Sequence, residues 1–146
     1  MENVMRFREN TRRLERKLAN MNKADCCCEI STTKCFMLVE IGRKPGISVK
    51  ELAEKLDVDK SVVSRYLEEL VKKEYVQRNI SNEDRRWVTI SLLPEGIKRF
   101  EKIEHDMNEK FKQVLDAIPK EQQEHVIASL EYYVEACRKV EEQYDQ

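Results

Sequence analysis

Glycine and proline are scarce in this sequence, three of each among 146 residues. A sheet sandwich or a disordered tail draws heavily on such breakers, so their scarcity points to a helix-rich fold. No apolar run approaches the ~20 residues that span a bilayer. The opening stretch, MENVMRFRENTRRLERKL, has no short apolar segment ending at small residues, so it does not read as a secretory signal. Histidine occurs only twice. There is no glycine-rich phosphate loop, no H-E-x-x-H and no Ser/His/Asp set placed by a recognisable motif, so the raw material for catalysis is thin. An excess of one charge is also missing, since the formal net charge is −1. Together these absences indicate one helix-rich domain without enzymatic activity. Its expected location is the cytoplasm, where the five cysteines stay reduced and form no disulfide framework.

Near-neutrality conceals an uneven distribution. Residues 1–24 carry Arg6, Arg8, Arg12, Arg13, Arg16, Lys17 and Lys23 against Glu2, Glu9 and Glu15. Residues 43–90 carry eleven basic side chains against nine acidic ones. A phosphate feels only the charges within about a Debye length, ~8–10 Å, so a neutral chain can still present a basic face. The basic run of residues 1–24 is read as a solvated face paired with acids of the last helix, in preference to a contact with flanking DNA.

The apolar spacing orders the elements. Val4, Phe7, Leu14, Leu18 and Met21 mark an amphipathic first helix. After a cysteine-rich loop, Ser31 caps a second helix bearing Cys35, Leu38, Val39 and Ile41, which GRKPG stops. ISVKELAEKL opens with a capping box, Ser48 with Glu51, and its helix runs to about Leu56. Asp59 then caps a helix whose core stripe is Val63, Leu67, Leu70 and Val71. YVQRNIS and RRWVTISLL, joined by SNED, lose helical spacing and read as a hairpin. Pro94 starts a long helix with a stripe from Ile97 to Ile118, and Pro119 restarts the chain into a last helix striped by Val126, Leu130, Tyr133, Val134, Cys137 and Val140. The fold class is mainly α with a small β-hairpin wing. The outer helices carry more apolar surface than one small domain covers, and a partner subunit is the simplest cover.

A short helix, a tight turn and a second helix form a helix-turn-helix, whose second helix can enter a major groove ~12 Å wide. Opposite the core stripe of that helix stand Lys60, Ser61, Ser64, Arg65 and Glu68, with Val62 beside them. The first four can donate hydrogen bonds to phosphates or base edges, and Val62 can touch a thymine methyl. Arg85 and Arg86 beside the hairpin turn suit a minor groove, whose negative potential attracts arginine.

The stretch ISVKELAEKLDVDKSVVSRYLEELVKKEYVQRNISNEDRRWVTISLLPEGIK resembles the MarR family of dimeric winged helix-turn-helix regulators. The resemblance rests on SVVSRYLEELVKKEYV, on DRR at Asp84–Arg86 and on VTISLLPEG. It spans about fifty residues, and the order of helices extends it over nearly the whole chain. It implies one domain over residues 1–146, with dimerisation helices at 1–24 and 95–142 and a DNA-binding lobe at about 31–93. It further implies a homodimer on a pseudo-palindromic operator. Such a protein is usually a repressor released by a ligand, a metal or an oxidant. Carried onto this chain, Ser61, Ser64 and Arg65 read or clamp the major groove, Asp84 braces the wing through an arginine, and Arg85 or Arg86 reaches the minor groove. Two positions depart from the pattern. Glu74 stands where the family has glycine, which strains the chain if that position is left-handed. Leu93 stands where a threonine or serine usually caps the long helix.

The stretch DCCCEISTTKC gathers four of the five cysteines. Cys26, Cys27, Cys28 and Cys35 lie where the family joins its dimer base to its DNA-binding lobes. One reading is a sensor for thiol-reactive oxidants, because a thiolate near a helix N-terminus and beside Lys34 is activated. Another is a soft metal or metalloid site on the same thiols, completed by Glu29 or His105, although no C-x-x-C pair signals tetrahedral zinc. The plainer reading makes Cys35 a small core residue and the others a tolerated loop. A separate reading is an ordinary aromatic effector in a pocket between the lobes. Cys137 reads as packing, and His105 and His125 as surface or packing residues. The expectation taken forward is a DNA-binding repressor of nearby genes, released through the cysteine cluster. The alternatives are a relative that answers to a small aromatic ligand and has structural cysteines, and a winged-helix protein–protein adaptor.

Overall fold

The computed structural model describes residues 1–25, 31–80, 83 and 88–145, with residues 23–25 described for the backbone alone. The elements are α1 (Glu2–Asp25), α2 (Thr32–Arg43), β1 (Ile47–Ser48), α3 (Val49–Leu56), α4 (Lys60–Lys72), β2 (Val76–Ile80), β3 (Val88–Leu92), α5 (Pro94–Asp116) and α6 (Lys120–Tyr144). They fall into two compact units, Met1–Met107 and Asn108–Gln146, divided within α5. No helix is long and apolar enough to cross a membrane among the described residues.

Local chemistry starts the helices where the sequence places them. The Ser31 hydroxyl accepts from the Lys34 amide at 3.5 Å, capping α2. Ser48 and Glu51 close a reciprocal box. The Glu51 amide donates to Ser48 Oγ at 3.1 Å, and the Ser48 amide donates to Glu51 Oε1 at 3.3 Å. Lys44 also pairs with Glu51 and, together with the Ser48 amide, holds its carboxyl below the ordinary value. Replacing Ser48 with alanine removes one side of the box. It is expected to lower unfolding free energy by about 1 kcal/mol, read as a lower urea midpoint at unchanged slope. An unchanged midpoint would deny the cap its role.

The core of the first unit is drawn from every element between α2 and β3. Met37, Leu38 and Ile41 of α2 pack with Ile47, Leu52, Ala53, Val63, Leu67, Leu70, Val76 and Ile90, all buried. Met37 was not among the expected core residues, whereas Val39, which was, is only half-buried. The sheet has three strands in the order β1-β3-β2, all antiparallel. The hairpin of β2 and β3 matches expectation, with Val76 opposite Leu92 and Ile80 opposite Val88. The third strand, β1, does not. Two residues are too few to show alternation. Ile47 is set opposite Ile90 by the preceding turn, in which Gly46 adopts φ 86 and its amide donates to Ile90 O at 2.9 Å.

Two close approaches seat the first part of α5 on this lobe. A Cβ at Gly96 would lie 2.0 Å from the carbonyl oxygen of Tyr75, and one at Gly42 would meet the Phe100 ring. Arg43 Nη2 adds a fork to Glu104, at 3.0 and 3.3 Å. In the second unit, Gln123 Nε2 donates to the carbonyls of Leu115 at 3.1 Å and Ile118 at 3.2 Å, closing the turn into α6. Within the single chain no described residue of α6 is buried. Cys137, expected to pack, is exposed there.

Candidate nucleic-acid interface

The turn between α3 and α4 is built from three residues with distinct tasks. Asp57 ends α3 in the left-handed region at φ 55, a conformation that aspartate tolerates better than most side chains. Val58 turns its side chain onto the core and donates its amide to Ala53 O at 3.1 Å. Asp59 occupies the N-cap position of α4, but its side chain makes no capping hydrogen bond.

On α4 the helical period sorts side chains cleanly. Val63, Leu67 and Leu70 are fully buried, and Val71 is half-buried. Lys60, Ser61, Ser64, Arg65 and Glu68 are exposed, with Val62 half-buried beside them. The residues singled out on this helix therefore share one open face, which carries two cations and two hydroxyls along its first two turns.

Behind that face lies a charged cluster that sequence reading missed. Lys34 reaches from α2 to pair with Glu69 of α4. Its side chain is 13% exposed, against 45% for Glu69. The Lys34 ammonium lies 5.5 Å from the centroid of the Tyr66 ring, and the Arg65 guanidinium lies 5.1 Å from the same centroid. The hydrogen bond from Lys34 lowers the Glu69 carboxyl pKa, opposed by desolvation, and the charges of Lys34, Lys73 and Arg65 add to the lowering. The only sequence signal was a tyrosine beside an arginine, which names no partner on another helix.

The exit from α4 is a Schellman turn. The Tyr75 amide donates to Leu70 O and the Glu74 amide to Val71 O, both at 3.0 Å. Glu74 takes the left-handed position at φ 61, so the departure from glycine falls where it strains the chain. Glu74→Gly is expected to raise stability by roughly 0.5–1 kcal/mol, the relief at Glu exceeding the entropy that glycine adds to the unfolded chain. Thermal unfolding checks this, and a lower midpoint would contradict it.

On the wing, Gln77 Nε2 and Asn79 Nδ2 both donate to Ser91 Oγ, at 3.2 and 3.0 Å, which fixes the hairpin register. Arg78, not singled out from sequence, is an exposed cation on β2. Asp84, Arg85 and Arg86 lie outside the described residues, as do Cys26, Cys27, Cys28 and Glu29. Cys35 is half-buried and packs against the core, as its plainer reading expects. His105 is exposed on α5. Among the described residues no three or more His, Cys, Asp or Glu side chains converge on a metal-sized site.

Comparison with known proteins adds an independent line. The profile of the MarR family matches residues 30–88, the span from the start of α2 to the start of β3. The HTH-type transcriptional regulator BilQ of Clostridium symbiosum is 28% identical over 102 residues, covering 70% of this chain and 71% of BilQ. The structure of Streptococcus pneumoniae FabT in complex with DNA superposes with a TM-score of 0.80 at 18% identity, over 92% of this chain and 99% of FabT. The S. aureus MepR–DNA complex superposes with a TM-score of 0.74 at 20% identity, over 92% of this chain and 97% of MepR. At these identities the two structures establish a shared fold.

Proposed function

We propose that this chain, which matches the MarR family of winged helix-turn-helix regulators over residues 30–88, is a sequence-specific DNA-binding repressor acting as a homodimer. The observation that carries this reading is the open face of α4. Lys60, Ser61, Ser64 and Arg65 stand exposed on a helix whose opposite stripe is fully buried. A helix ~10–12 Å across fits a major groove ~12 Å wide. Arginine can hold guanine or a phosphate with two parallel hydrogen bonds, and the serines can pair with either base edges or phosphates. Arg78 of β2, with Arg85 and Arg86, supplies the wing with cations for the adjoining minor groove. FabT and MepR, which share the fold, were each solved on DNA.

The second copy covers the outer helices. Val4 and Phe7 of α1 are 62% and 58% exposed, and Leu130 and Val134 of α6 are 45% and 70% exposed. Such a dimer presents two α4 helices to half-sites one turn apart, ~34–36 Å. Release is assigned to thiol chemistry, an oxidant or a soft metal acting at Cys26, Cys27, Cys28 and Cys35. Its support is the clustering in sequence and the place of Cys35 on α2, whose neighbour Lys34 touches α4. The test is fluorescence anisotropy on the DNA upstream of the chain's own gene and on a scrambled fragment. Preference for the upstream fragment, lost on stoichiometric thiol modification and kept in a variant with all four cysteines changed to serine, is the expected result. Equal binding to both fragments sinks sequence specificity. Release that survives the serine changes sinks the thiol trigger and moves the search to small aromatic ligands.

A further inference from the structure

Arg65 has a competitor for its guanidinium on its own helix. Residues four apart on a helix are surface neighbours, so Glu69 stands beside Arg65. A carboxylate and a phosphate accept the same planar fork from arginine, so a bare carboxylate there draws Arg65 away from DNA. In this structure Glu69 has another cation. Lys34 comes from α2, mostly buried, and pairs with Glu69 while lying against Tyr66. Arg65 rests over the same tyrosine ring at 5.1 Å.

We propose that Lys34 is a positioning residue for DNA binding: by occupying Glu69 it keeps that carboxylate from capturing Arg65, which stays on Tyr66 and available to DNA. The order of influences on Glu69, with Lys34 foremost and Arg65 last, agrees with this division of partners. The arrangement also ties the first turn of α2 to the recognition helix through one ion pair. Lys73, four residues beyond Glu69, is a further cation that acts on the carboxylate. This inference rests on the DNA-binding reading above.

Lys34→Met keeps the buried stem and removes the charge. An exposed Arg–Glu pair is worth roughly 0.2–1 kcal/mol, so a captured Arg65 weakens binding by about 1.4- to fivefold per α4 helix. That loss compounds to its square where both helices of a dimer bind. Two second-site changes separate positioning from general support. Lys34→Met combined with Glu69→Gln should regain wild-type affinity, because no carboxylate is left to capture Arg65. Lys34→Met in an Arg65→Ala background should cost nothing further.

Anisotropy titrations on one upstream fragment read all of these, with thermal unfolding as the folding check. If Lys34→Met does not fold, Lys34→Gln repeats the series with a polar head. Wild-type affinity in Lys34→Met, as when Lys73 absorbs Glu69, overturns the inference alone. So does a loss that Glu69→Gln fails to rescue, or one that persists undiminished without Arg65. Absence of salt-dependent binding by the unmodified chain overturns both the inference and the DNA-binding reading beneath it.

Discussion

Arg65→Ala is expected to weaken DNA binding roughly 5- to 150-fold per α4 helix, and by the square of that where both helices of a dimer bind, while leaving the fold intact; the span corresponds to losing one good arginine contact worth ~1–3 kcal/mol in each half-site. Arg65 is exposed on α4 with its guanidinium over the Tyr66 ring, so truncation opens no cavity in the core. The form of the loss is diagnostic. Loss of an arginine that grips phosphate weakens all sequences alike and reduces the salt slope by about one for each α4 helix on the DNA. An arginine that reads a guanine relaxes preference at one base pair and leaves the rest of the site discriminated. Anisotropy titrations on the upstream fragment and its single-base variants, with a thermal melt on the same protein, measure both. Unchanged affinity in a folded variant would remove α4 from the interface.

Gly96→Ala should produce the largest change in stability. A methyl there would lie 2.0 Å from the Tyr75 carbonyl oxygen, a backbone atom that no rotamer change can withdraw. The same oxygen accepts from the Leu93 amide at 2.9 Å, so pushing α5 away stretches a hydrogen bond between the end of β3 and the exit from α4. Overpacking of this kind costs typically ~1–3 kcal/mol, and the lost bond puts the expected loss at the upper end. Urea unfolding followed by circular dichroism checks it. Gly42→Ala is the informative contrast, because the atoms it meets belong to the Phe100 side chain, which can turn. A Gly96→Ala protein as stable as wild type would mean that the start of α5 is not seated on Tyr75.

What was legible in the sequence was local. The capping box of Ser48 and Glu51, the start of α5 at Pro94 and the buried stripe of α4 depend on residues within a turn or two of one another, and all three stand as expected. The open face of α4 followed because a helix that buries Val63, Leu67 and Leu70 must turn Ser61, Ser64 and Arg65 outward. Glu74 was legible as a departure from a motif, and its left-handed backbone explains why glycine is usual there. The illegible parts are those that depend on distant residues. β1 exists because Ile47 meets Ile90, and neither shows this in its own neighbourhood. Lys34 looked like a neighbour of thiols, while its ammonium answers Glu69, thirty-five residues away. Gly96 belonged to a recognised PEG, but only the approach of Tyr75 gives the glycine its reason. The cysteine triplet, Arg85 and Arg86 lie outside the described residues, so their roles rest on sequence and proposal.

The most direct test of the account is the salt dependence of DNA affinity, measured by anisotropy on the upstream fragment between about 50 and 200 mM salt, the range over which a protein with ~6–10 phosphate contacts loses ~10³–10⁵ in affinity. A dimer that grips phosphates with Lys60 and Arg65 of two α4 helices, and with arginines of two wings, should show log affinity falling linearly and steeply with log salt. A flat response, or no binding at the low-salt end, would contradict the account and leave the winged helix as a protein–protein adaptor.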